Sequence, residues 1–259
     1  MIYWSRQEEQ QMLQNERKKK ILGQLNARGA VKVHDLADEL GISESTIRRD
    51  INELDQMGQL KKVFGGAVAL DSGMIYGETD VASRTLINVE EKDLIARYAA
   101  SLITDYDFVF IDAGTTTERM IDYLEKKNAT YVTNGIGHAK KLIQRGFAAH
   151  VIGGLLRPAT EAVVGETAID TIRRYNFTKC FMGATGIDFE KGFTTRDISE
   201  AAVKAAAIRQ SQRTFVLADH TKFAKVSSVT FGGLNEACII TNRLDNPQYG
   251  QYTVIKIAE

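Results

Sequence analysis

Two adjacent arginines, Arg48 and Arg49, lie in the stretch ISESTIRRDINEL (42–54), which has the composition of a short helix. At about 100° per residue, Ser45 and Asn52 fall on the same helical face as the arginines. Guanidinium groups donate hydrogen bonds to guanine edges and to phosphates, and hydroxyl and amide groups add further donors and acceptors. The spacing therefore predicts a face that hydrogen-bonds nucleic acid.

The same face has a simpler interpretation as the solvated surface of a charged helix. Arg48 lies four residues from both Glu44 and Asn52. Arg49 lies four residues from Glu53, and side chains at this spacing pair along a helix. For a helix on its own the simpler interpretation is preferred, so the neighbouring segments decide between the two.

The neighbouring segments predict a three-helix unit. Residues 15–28 and 33–40 carry apolar side chains at helical spacing, and each segment is followed by a glycine. Ser43 is a suitable N-cap for the third helix, which is expected to close at Gly58. The short turn before Ser43 has the length found in a helix-turn-helix, which favours the nucleic-acid interpretation. The face of the third helix that packs on the other two is expected to contain Ile47, Ile51 and Leu54.

The stretch QLKKVFGGAVAL (59–70) predicts two short strands joined at a Gly65–Gly66 turn. A two-stranded ribbon beside the third helix would form a wing whose lysines lie near the DNA backbone. The candidate DNA-binding residues are Ser43, Ser45, Thr46, Arg48, Arg49, Asn52, Lys61 and Lys62.

The charge balance limits how DNA could be bound. The 259 residues include 33 Lys+Arg and 33 Asp+Glu, a formal net charge of zero. This balance argues against a protein that coats nucleic acid by bulk electrostatics. Residues 1–70 contain 11 Lys+Arg and 10 Asp+Glu, so DNA contact must depend on the arrangement of the charges.

Several other classes of function are not supported. The sequence has no apolar run of the roughly 18 residues that a membrane span needs, and its start lacks the pattern of a secretory signal. We therefore expect a cytoplasmic protein without a membrane partner. Cys180 and Cys238 lie in separate apolar runs without a CxxC motif, which favours reduced core thiols over a metal site. Neither a dinucleotide nor a P-loop motif is present, and we expect no cofactor.

The N-terminal residues resemble the winged helix of the DeoR family of bacterial transcriptional regulators over about residues 15–70. Family members commonly have a histidine before the glycine pair of the wing, where this chain has Phe64. The resemblance implies operator DNA as a partner. It also implies a homo-oligomer, a dimer or tetramer, because operators usually mirror the two-fold symmetry of the protein. The match is carried by Arg17, Ile21, Leu25, Ser43, Thr46, Ile47, Arg48, Arg49, Asp50, Ile51 and the Gly65-Gly66-Ala67 turn.

From Lys92 onward, segments of strand and helix character alternate along the chain. This alternation predicts an α/β domain with a mostly parallel sheet covered on both faces, in which ligands bind at the carboxyl ends of the strands. Residues 71–91 are polar and contain glycine, as in a linker. The expected domains are a winged helix-turn-helix (1–70), a linker (71–91) and a ligand-binding domain (92–259).

The first strand of this domain ends in IDAGTTTERM, which contains Asp112, Gly114 and the threonines Thr115, Thr116 and Thr117. Free backbone amides, hydroxyls and a helix N-terminus would suit a phosphate. Alternatively, the T-x-x-E spacing of Thr115 and Glu118 caps the helix and binds nothing. The sequence leaves both interpretations open.

Other strand ends also carry small or polar residues, and together they favour one phosphorylated polar ligand over chance. Lys204 lies one turn after Glu200 and is either a further cation for the ligand or, the preferred interpretation, the partner of Glu200 on a surface helix. His34, His138 and His150 are expected to be surface or packing residues. The remaining candidate effector-binding residues are Asn134, Gly135, Gly154, Arg157, Gly183, Asp219, His220 and Lys222.

This second domain resembles the C-terminal sensor domain of the DeoR family through IDAGTTT, VTNG, IGG, GFTT, EAAVK and ADHTKF, over about residues 76–240. The family domain is similar to ribose 5-phosphate isomerases, and family members sense phosphorylated sugars. The resemblance implies that Thr115, Thr116 and Thr117 help to hold the phosphate. It also implies that Asp219 and Lys222 contact the sugar or its phosphate. The stretches DAGTTTERMIDYL and VTNGIGHAKKL look most like repressors of fructose operons, which suggests fructose 1-phosphate as the effector.

The expected function is that of a transcriptional regulator, a repressor of a sugar-catabolism operon, controlled by a phosphorylated sugar. The alternative is an active sugar-phosphate isomerase with a DNA-binding appendage. An isomerase needs a base over the sugar carbons, and the comparable loop of the isomerases is acidic. Here GATGID offers Thr185 and Gly186 before a single Asp188. We therefore expect no enzyme activity.

Overall fold

A computed structural model of the chain divides into two compact units, Met1–Gly77 and Glu78–Glu259. Each unit has its own hydrophobic core. The boundary falls inside the expected linker 71–91. That range contains the helix Val81–Thr85 and the start of the helix that begins at Val89, and its residues 71–80 lie outside the described residues. The structure describes residues 6–28, 30–57, 59–68 and 81–259.

The first unit has the predicted winged helix-turn-helix fold. Its three described strands form an antiparallel sheet in the order β1-β3-β2, in which β1 is a strand that the sequence pattern does not predict. The elements are α1 (Arg6–Arg28), β1 (Ala30–Lys32), α2 (Val33–Leu40), α3 (Glu44–Gln56), β2 (Lys61–Val63) and β3 (Gly66–Val68).

Helix α3 forms where the sequence predicts it. The Oγ of Ser43 accepts a hydrogen bond from the backbone N–H of Thr46 at 3.4 Å, which confirms the N-cap. Gly41 ends α2 in a left-handed conformation (φ 66°), which favours glycine. The predicted closing residue, Gly58, lies outside the described residues, two positions after the end of α3. The buried core of the unit contains the predicted Ile47, Ile51 and Leu54 together with Ile21, Leu25 and Leu36.

The second unit alternates strands and helices and adds short 3₁₀ helices at Ile121–Tyr123, His220–Lys222, Leu234–Glu236 and Pro247–Gln251. Its helices are α4 (Val81–Thr85), α5 (Val89–Ser101), α6 (Thr115–Met120), α7 (Ile136–Gln144), α8 (Glu166–Arg173) and α9 (Ile198–Arg209). Its strands are β4 (Phe108–Ile111), β5 (Thr130–Thr133), β6 (Ala149–Val151), β7 (Leu155–Leu156), β8 (Val163–Val164), β9 (Phe177–Gly183), β10 (Gly186–Asp188), β11 (Gly192–Thr195), β12 (Ser211–Leu217), β13 (Val229–Gly232), β14 (Cys238–Thr241) and β15 (Ile255–Ile257).

Seven of these strands form a parallel sheet in the order β15-β14-β12-β9-β4-β5-β6, which confirms the predicted α/β architecture. Successive side chains of a strand point to opposite faces. In β4, Phe110 joins one core cluster while Val109 and Ile111 join the other. Both faces of the sheet are therefore buried. Two small antiparallel sheets, β10-β11-β13 and β7-β8, complete the unit.

The order of the strands reverses between β4 and β9. Strands β5 and β6 follow β4 in one direction, and β12, β14 and β15 follow β9 in the other. A crevice for ligands opens at the carboxyl ends of the two strands on either side of such a reversal. Asp112, which follows β4, and Gly183, which ends β9, therefore lie at the expected binding position.

Both cysteines are free: Cys180 is buried in the core and Cys238 is half-buried. None of the described helices is long and apolar enough to cross a membrane. Among the described side chains, no group of three or more His, Cys, Asp or Glu residues could hold a metal ion.

Candidate functional site

The outer face of α3 carries the four polar side chains that the helical spacing predicts. The side chain of Arg48 is 61% exposed and donates to Glu44 at 2.8 Å, so the pair of the simpler interpretation does exist. Water screens a pair this exposed, and it contributes little to stability. Arg48 can therefore exchange Glu44 for a base or a phosphate at small cost. All four predicted side chains are exposed: Ser45, Arg48, Arg49 and Asn52.

The hydroxyl groups at the start of α3 are linked to one another. The Oγ of Ser43 lies 2.9 Å from the Oγ of Ser45 and 2.9 Å from the Oγ1 of Thr46. They surround the helix N-terminus, where free N–H groups favour an anion. This end of α3 can therefore accept a DNA phosphate beside the arginine face.

A buried carboxylate on the inner face of α3 holds the helix in place. Asp50 is fully buried. The guanidinium group of Arg17 on α1 donates two hydrogen bonds to its carboxylate, one of them 2.9 Å long from Nη2 to Oδ1. Because Asp50 directly follows Arg49, this pair sets the rotation at which the arginine face is presented. Sequence reasoning missed the pair. Its signal is a charged residue inside the apolar stripe between Ile47 and Ile51.

The wing consists of β2, a turn at Phe64–Gly65, and β3. Lys61 and Lys62 are exposed on β2, as their predicted role requires. The backbone N–H of Lys62 donates to Asp55 Oδ1 at 2.8 Å, which attaches the wing to the last turn of α3. The two lysines therefore stay next to α3.

The turn of the wing differs by one residue from the prediction. Gly65 occupies the turn with φ 78°, but Gly66 is already the first residue of β3. A side chain at Gly66 would overlap the backbone carbonyl of Val31 on β1. The second glycine therefore serves the pairing of β3 with β1, the strand that the sequence pattern did not predict.

In the second unit, a buried ion pair joins the two strands at the reversal of strand order. The Nζ of Lys204 on α9 contacts Asp112 Oδ2 and donates to the carbonyl of Gly183 at 3.0 Å. The N–H of Gly183 donates to Asp112 Oδ2 at 3.1 Å. The structure thus brings together three of the predicted effector-binding residues.

The preferred interpretation of Lys204 as the partner of Glu200 is wrong. Lys204 is buried because it lies on the side of α9 that packs against the sheet. Glu200 instead accepts a hydrogen bond from Thr160 at 2.7 Å and lies 3.6 Å from Arg157. Arg157 also pairs with Asp197 at 2.6 Å. The carboxylates of Asp197 and Glu200 at the start of α9 therefore already neutralise Arg157, which the sequence predicted to bind the effector.

The three threonines differ in their availability. Helix α6 begins at Thr115 with Gly114 as its N-cap and without a side-chain cap, so the T-x-x-E capping interpretation is wrong. Thr117 is fully buried, and its Oγ1 lies 2.6 Å from the carbonyl of Asp112 and 2.8 Å from that of Gly114. The hydroxyl is engaged within the loop, and this corrects its prediction as a phosphate contact. Thr115 is half-buried and Thr116 is 8% exposed.

His138 holds the loop that follows β4. Its Nε2 lies 3.2 Å from Thr117 Oγ1 and 3.1 Å from the carbonyl of Gly114. Burial lowers the pKa of His138 to about 4, so the ring is neutral at pH 7. The expectation of a packing residue is correct, but these hydrogen bonds were not expected. An apolar helix face, with Ala139 and Leu142 following His138, was the available signal.

Three other predicted residues have backbone roles. The Oδ1 of Asn134 accepts a hydrogen bond from Ala113 N–H at 2.8 Å, which joins the loops after β4 and β5. A Cβ on Gly135 would come within 2.5 Å of His138 Nδ1, so only glycine leaves room for that ring. Gly154 has φ 150° and packs tightly on the backbone of β8.

The loop after β12 contains the predicted Asp219, His220 and Lys222. The Oδ1 of Asp219 accepts a hydrogen bond from Asn88 Nδ2 at 3.1 Å and one from Thr221 N–H at 3.0 Å. Burial opposes ionisation of Asp219, but the charge of Lys222 and these hydrogen bonds outweigh it and lower the pKa of the carboxyl. The backbone N–H of His220 donates to Asn242 Oδ1 at 2.9 Å, which links the loop to the end of β14.

A buried lysine that sequence reasoning missed lies beside this loop. Lys92 on α5 is 4% exposed, and its ammonium group donates to the carbonyl of Arg84. Burial, together with the charges of Lys222, Arg119 and Arg84, lowers the pKa of Lys92 to about 8, although Asp219 opposes this shift. The sequence feature that could have indicated this burial is the position of Lys92 one turn before the buried apolar residues of α5.

Two protein-family models match this chain, one in each unit. The model of the DeoR-like helix-turn-helix domain matches residues 17–73, and that of the DeoR C terminal sensor domain matches residues 87–243. The HTH-type transcriptional regulator FruR of Bacillus subtilis (strain 168), described as uncharacterized, is 38% identical over 252 residues, covering 96% of this chain and 100% of the relative. The lactose phosphotransferase system repressor of Staphylococcus aureus (strain MRSA252) is 33% identical over 228 residues, covering 87% and 90%.

Among solved structures, ribose 5-phosphate isomerase A from Neisseria gonorrhoeae is similar with a TM-score of 0.38 and 13% identity, over 52% of this chain and 53% of the isomerase chain. The two relatives, at 38% and 33% identity, are named as a transcriptional regulator and a repressor, and the alternative of an active isomerase is not favoured. Both family models and both relatives agree with the resemblance seen in the sequence. The chain belongs to the DeoR family of transcriptional regulators.

Proposed function

We propose that this DeoR-family regulator represses a sugar-catabolism operon by binding its operator through α3 and the wing, and that a phosphorylated sugar bound to the second unit changes this affinity. The observation that carries the DNA-binding part is the two-sided character of α3. Its inner face is buried and held by Arg17 and Asp50, while its outer face presents exposed arginines.

In the DNA complex, α3 enters the major groove with Arg48, Arg49 and Asn52 toward the base edges. Lys61 and Lys62 of the wing contact the phosphates and set the register. Because the formal net charge of the chain is zero, these few contacts carry the binding. The proposed face also contains Ser43, Ser45 and Thr46.

The cations around Lys92 support an anionic effector. Lys92 interacts electrostatically with Lys222, Arg119 and Arg84, and repulsion by these cations contributes to the low pKa of Lys92. The Nε of Arg84 is buried and has no hydrogen-bond partner among the described residues. An unsatisfied buried donor in a residue that contacts Lys92 suits a phosphate, which supplies up to two negative charges and several acceptor oxygens.

Polar groups on the neighbouring strand ends suit the sugar. The carboxylate of Asp219 can accept hydrogen bonds from sugar hydroxyls, and Thr115 and Thr116 lie at the start of α6 at the same edge of the sheet. Asp112 and Lys204 shape the crevice between β4 and β9. The effector would therefore lie along the carboxyl ends of β4, β9 and β12.

The identity of the sugar is proposed from similarity. The named relatives are FruR and a lactose phosphotransferase system repressor. The stretches that resemble fructose-operon repressors favour fructose 1-phosphate for this chain. A phosphorylated sugar has the charge that the cations around Lys92 require.

Control follows from linkage. The effector must bind the DNA-competent and the incompetent arrangement with different affinity, and operator DNA must then change effector affinity by the same factor. A homo-oligomer, a dimer or tetramer, matches the symmetry of operators. A cytoplasmic location follows from the same proposal because a bacterial regulator meets its operator there.

A titration tests the proposal. Purified protein is bound to a fluorescent duplex that spans the promoter upstream of its own gene, and anisotropy is followed while sugar phosphates are added, including fructose 1-phosphate. We expect one of them to shift the DNA-binding curve, and unphosphorylated fructose to have no effect. Absence of binding to the promoter would contradict the DNA-binding assignment. Binding that no sugar phosphate changes would contradict the effector assignment alone.

A further inference from the structure

Phe64, at the tip of the wing, is fully exposed, with a relative exposure of 109%. The other phenylalanines in the described part of the chain are buried or half-buried. A large apolar side chain held entirely in water loses the free energy that burial would provide. Its position at the tip, away from the core of the unit, therefore needs an explanation outside that core.

The tip is braced by its backbone. Gly65 adopts the left-handed conformation, and its carbonyl accepts a hydrogen bond from Val33 N–H at 2.9 Å. Gly66 packs so closely on Val31 that no side chain fits. Because β3 pairs with β1 on one side and β2 on the other, the Phe64 ring is carried on a supported hairpin.

The surroundings of the ring are basic. Lys61 and Lys62 precede it on β2 and are exposed, and Lys32 is exposed on β1. The nearby carboxylates are those of Asp55, which accepts the N–H of Lys62, and Asp35, which lies with Lys32 along the depression beneath the tip. An apolar ring flanked by ammonium groups is complementary to a surface on which apolar walls lie between rows of phosphates, because the ring can pack on the walls while the ammonium groups pair with the phosphates.

The minor groove of DNA is such a surface, because deoxyribose faces line its walls and phosphates its edges. The wing is attached to α3 through Asp55, so the position of α3 in the major groove would also fix where the wing meets the DNA. We propose that Phe64 enters the minor groove beside the base pairs read by α3 and packs its ring against the deoxyribose faces, while Lys61 and Lys62 contact the flanking phosphates. This inference rests on the proposed DNA-binding function.

Salt dependence separates this contact from those of the lysines. We expect Phe64→Ala to weaken binding to the promoter duplex about tenfold and Phe64→Leu to retain most of the affinity, since leucine keeps an apolar side chain. The slope of log K against log salt should stay unchanged in both, because the ring releases no counterions. Lys61→Ala or Lys62→Ala should instead reduce the slope by about 1. Met57→Ala, which removes another exposed apolar side chain of the unit, is the matched control.

A fluorescent reporter tests where the ring goes. In a Trp4→Phe background, Phe64→Trp leaves one tryptophan in the chain. We expect acrylamide to quench its emission freely in the unbound protein and much less when the promoter duplex is bound. Thermal unfolding should be unchanged in every Phe64 variant because the side chain is exposed.

Several results would overturn the inference. One is wild-type operator affinity in Phe64→Ala while Arg48→Ala is weakened, which would leave the DNA-binding function intact and remove only Phe64. Another is a tryptophan at position 64 that is already protected without DNA. A third is a difference in oligomer size between Phe64→Ala and the wild-type chain, measured by sedimentation without DNA. That difference would mean that the tip contacts another protein subunit. Failure of the wild-type chain to bind the promoter would instead contradict the proposed function itself.

Discussion

The ammonium group of Lys204 and the carboxylate of Asp112 form a buried ion pair where the strand order of the parallel sheet reverses. Their side chains are 7% and 2% exposed. The carbonyl and N–H of Gly183 complete the hydrogen bonds of the pair, at 3.0 and 3.1 Å. The pair thus ties α9 to β4 and β9 at the mouth of the proposed effector crevice.

Removing the ammonium group should destabilise the second unit. Lys204→Met leaves the carboxylate of Asp112 buried without its partner, and we expect the free energy of unfolding in urea to fall by about 3 to 5 kcal/mol. Lys191→Met, which removes an exposed lysine of the same unit, should have little effect. The double variant Lys204→Met/Asp112→Asn should lose less than the sum of the two single variants. Additive losses would show that the two groups are not coupled.

Breaking the corresponding pair in the first unit, Arg17 and Asp50, should reduce both the stability of this unit and its DNA binding. Arg17→Met should lower the unfolding free energy of this unit by about 3 kcal/mol because Asp50 remains buried and unpaired. Operator affinity should fall with it, since α3 loses its attachment to α1. Lys20→Met, which removes an exposed cation of the same helix, is the control. Thermal unfolding and anisotropy measure the two effects, and an unchanged melting curve for Arg17→Met would contradict the prediction.

Local patterns were enough to predict the three helices and the wing of the first unit and the parallel sheet with helices α5 to α9 of the second, but not β1, α4 or the two small antiparallel sheets. The period of Ile47, Ile51 and Leu54 and the cap at Ser43 predict α3 because they depend on neighbours within a few residues. The same holds for the alternation of strands and helices after Lys92. Parallel strands bring their carboxyl ends to one edge, so the sequence could also predict where polar strand-end residues would gather, and the ligand site proposed there stays a prediction.

The contacts between polar groups could not be predicted in this way. Lys204 and Asp112 are separated by 92 residues in the chain, and their meeting depends on the order of strands. For the same reason the sequence could not show that Arg157 pairs with Asp197, 40 residues further along the chain. The burial of Lys92 depends on the packing of α5 against the loop after β12, which the helix pattern alone does not contain.

The arginine face makes a specific prediction for DNA binding. Arg48→Ala and Arg49→Ala should each weaken operator binding, by about 1 to 3 kcal/mol where the arginine reads a base, while sugar-phosphate binding stays nearly unchanged. Arg213→Ala, which removes an exposed arginine of the second unit, should leave both unchanged. Glu44→Gln should strengthen DNA binding because it frees Arg48 and removes a negative charge from the face. Anisotropy with the promoter duplex measures these affinities, and wild-type affinity in both alanine variants would show that the face is misassigned.

His138 predicts a loss of stability in acid. The pKa of the buried ring is about 4, below the value of about 6.5 in an unfolded chain. Between these values the unfolded state binds more protons, so the free energy of unfolding must fall as pH decreases through this window. Urea unfolding from pH 7 to pH 4 should show this slope, and His138→Gln, which cannot titrate, should show less of it. Equal slopes in the two proteins would mean that His138 is not the group responsible.

The lowered pKa of Lys92 leads us to expect that the protein takes up a proton when the effector binds. In the free protein its pKa is about 8, and a phosphate bound beside it would raise that value because opposite charge favours the ammonium form. Effector affinity should therefore fall as pH rises through 8, and titration calorimetry near that pH, in buffers of different ionisation enthalpy, should detect uptake of up to one proton. The second pKa of a phosphate is about 6, so the ligand itself contributes little there. Lys92→Met should bind the effector more weakly and without this uptake, whereas Lys256→Met, which removes an exposed lysine on β15, should behave as the wild type. The same proton uptake in Lys92→Met would assign it to another group and remove Lys92 from the phosphate site.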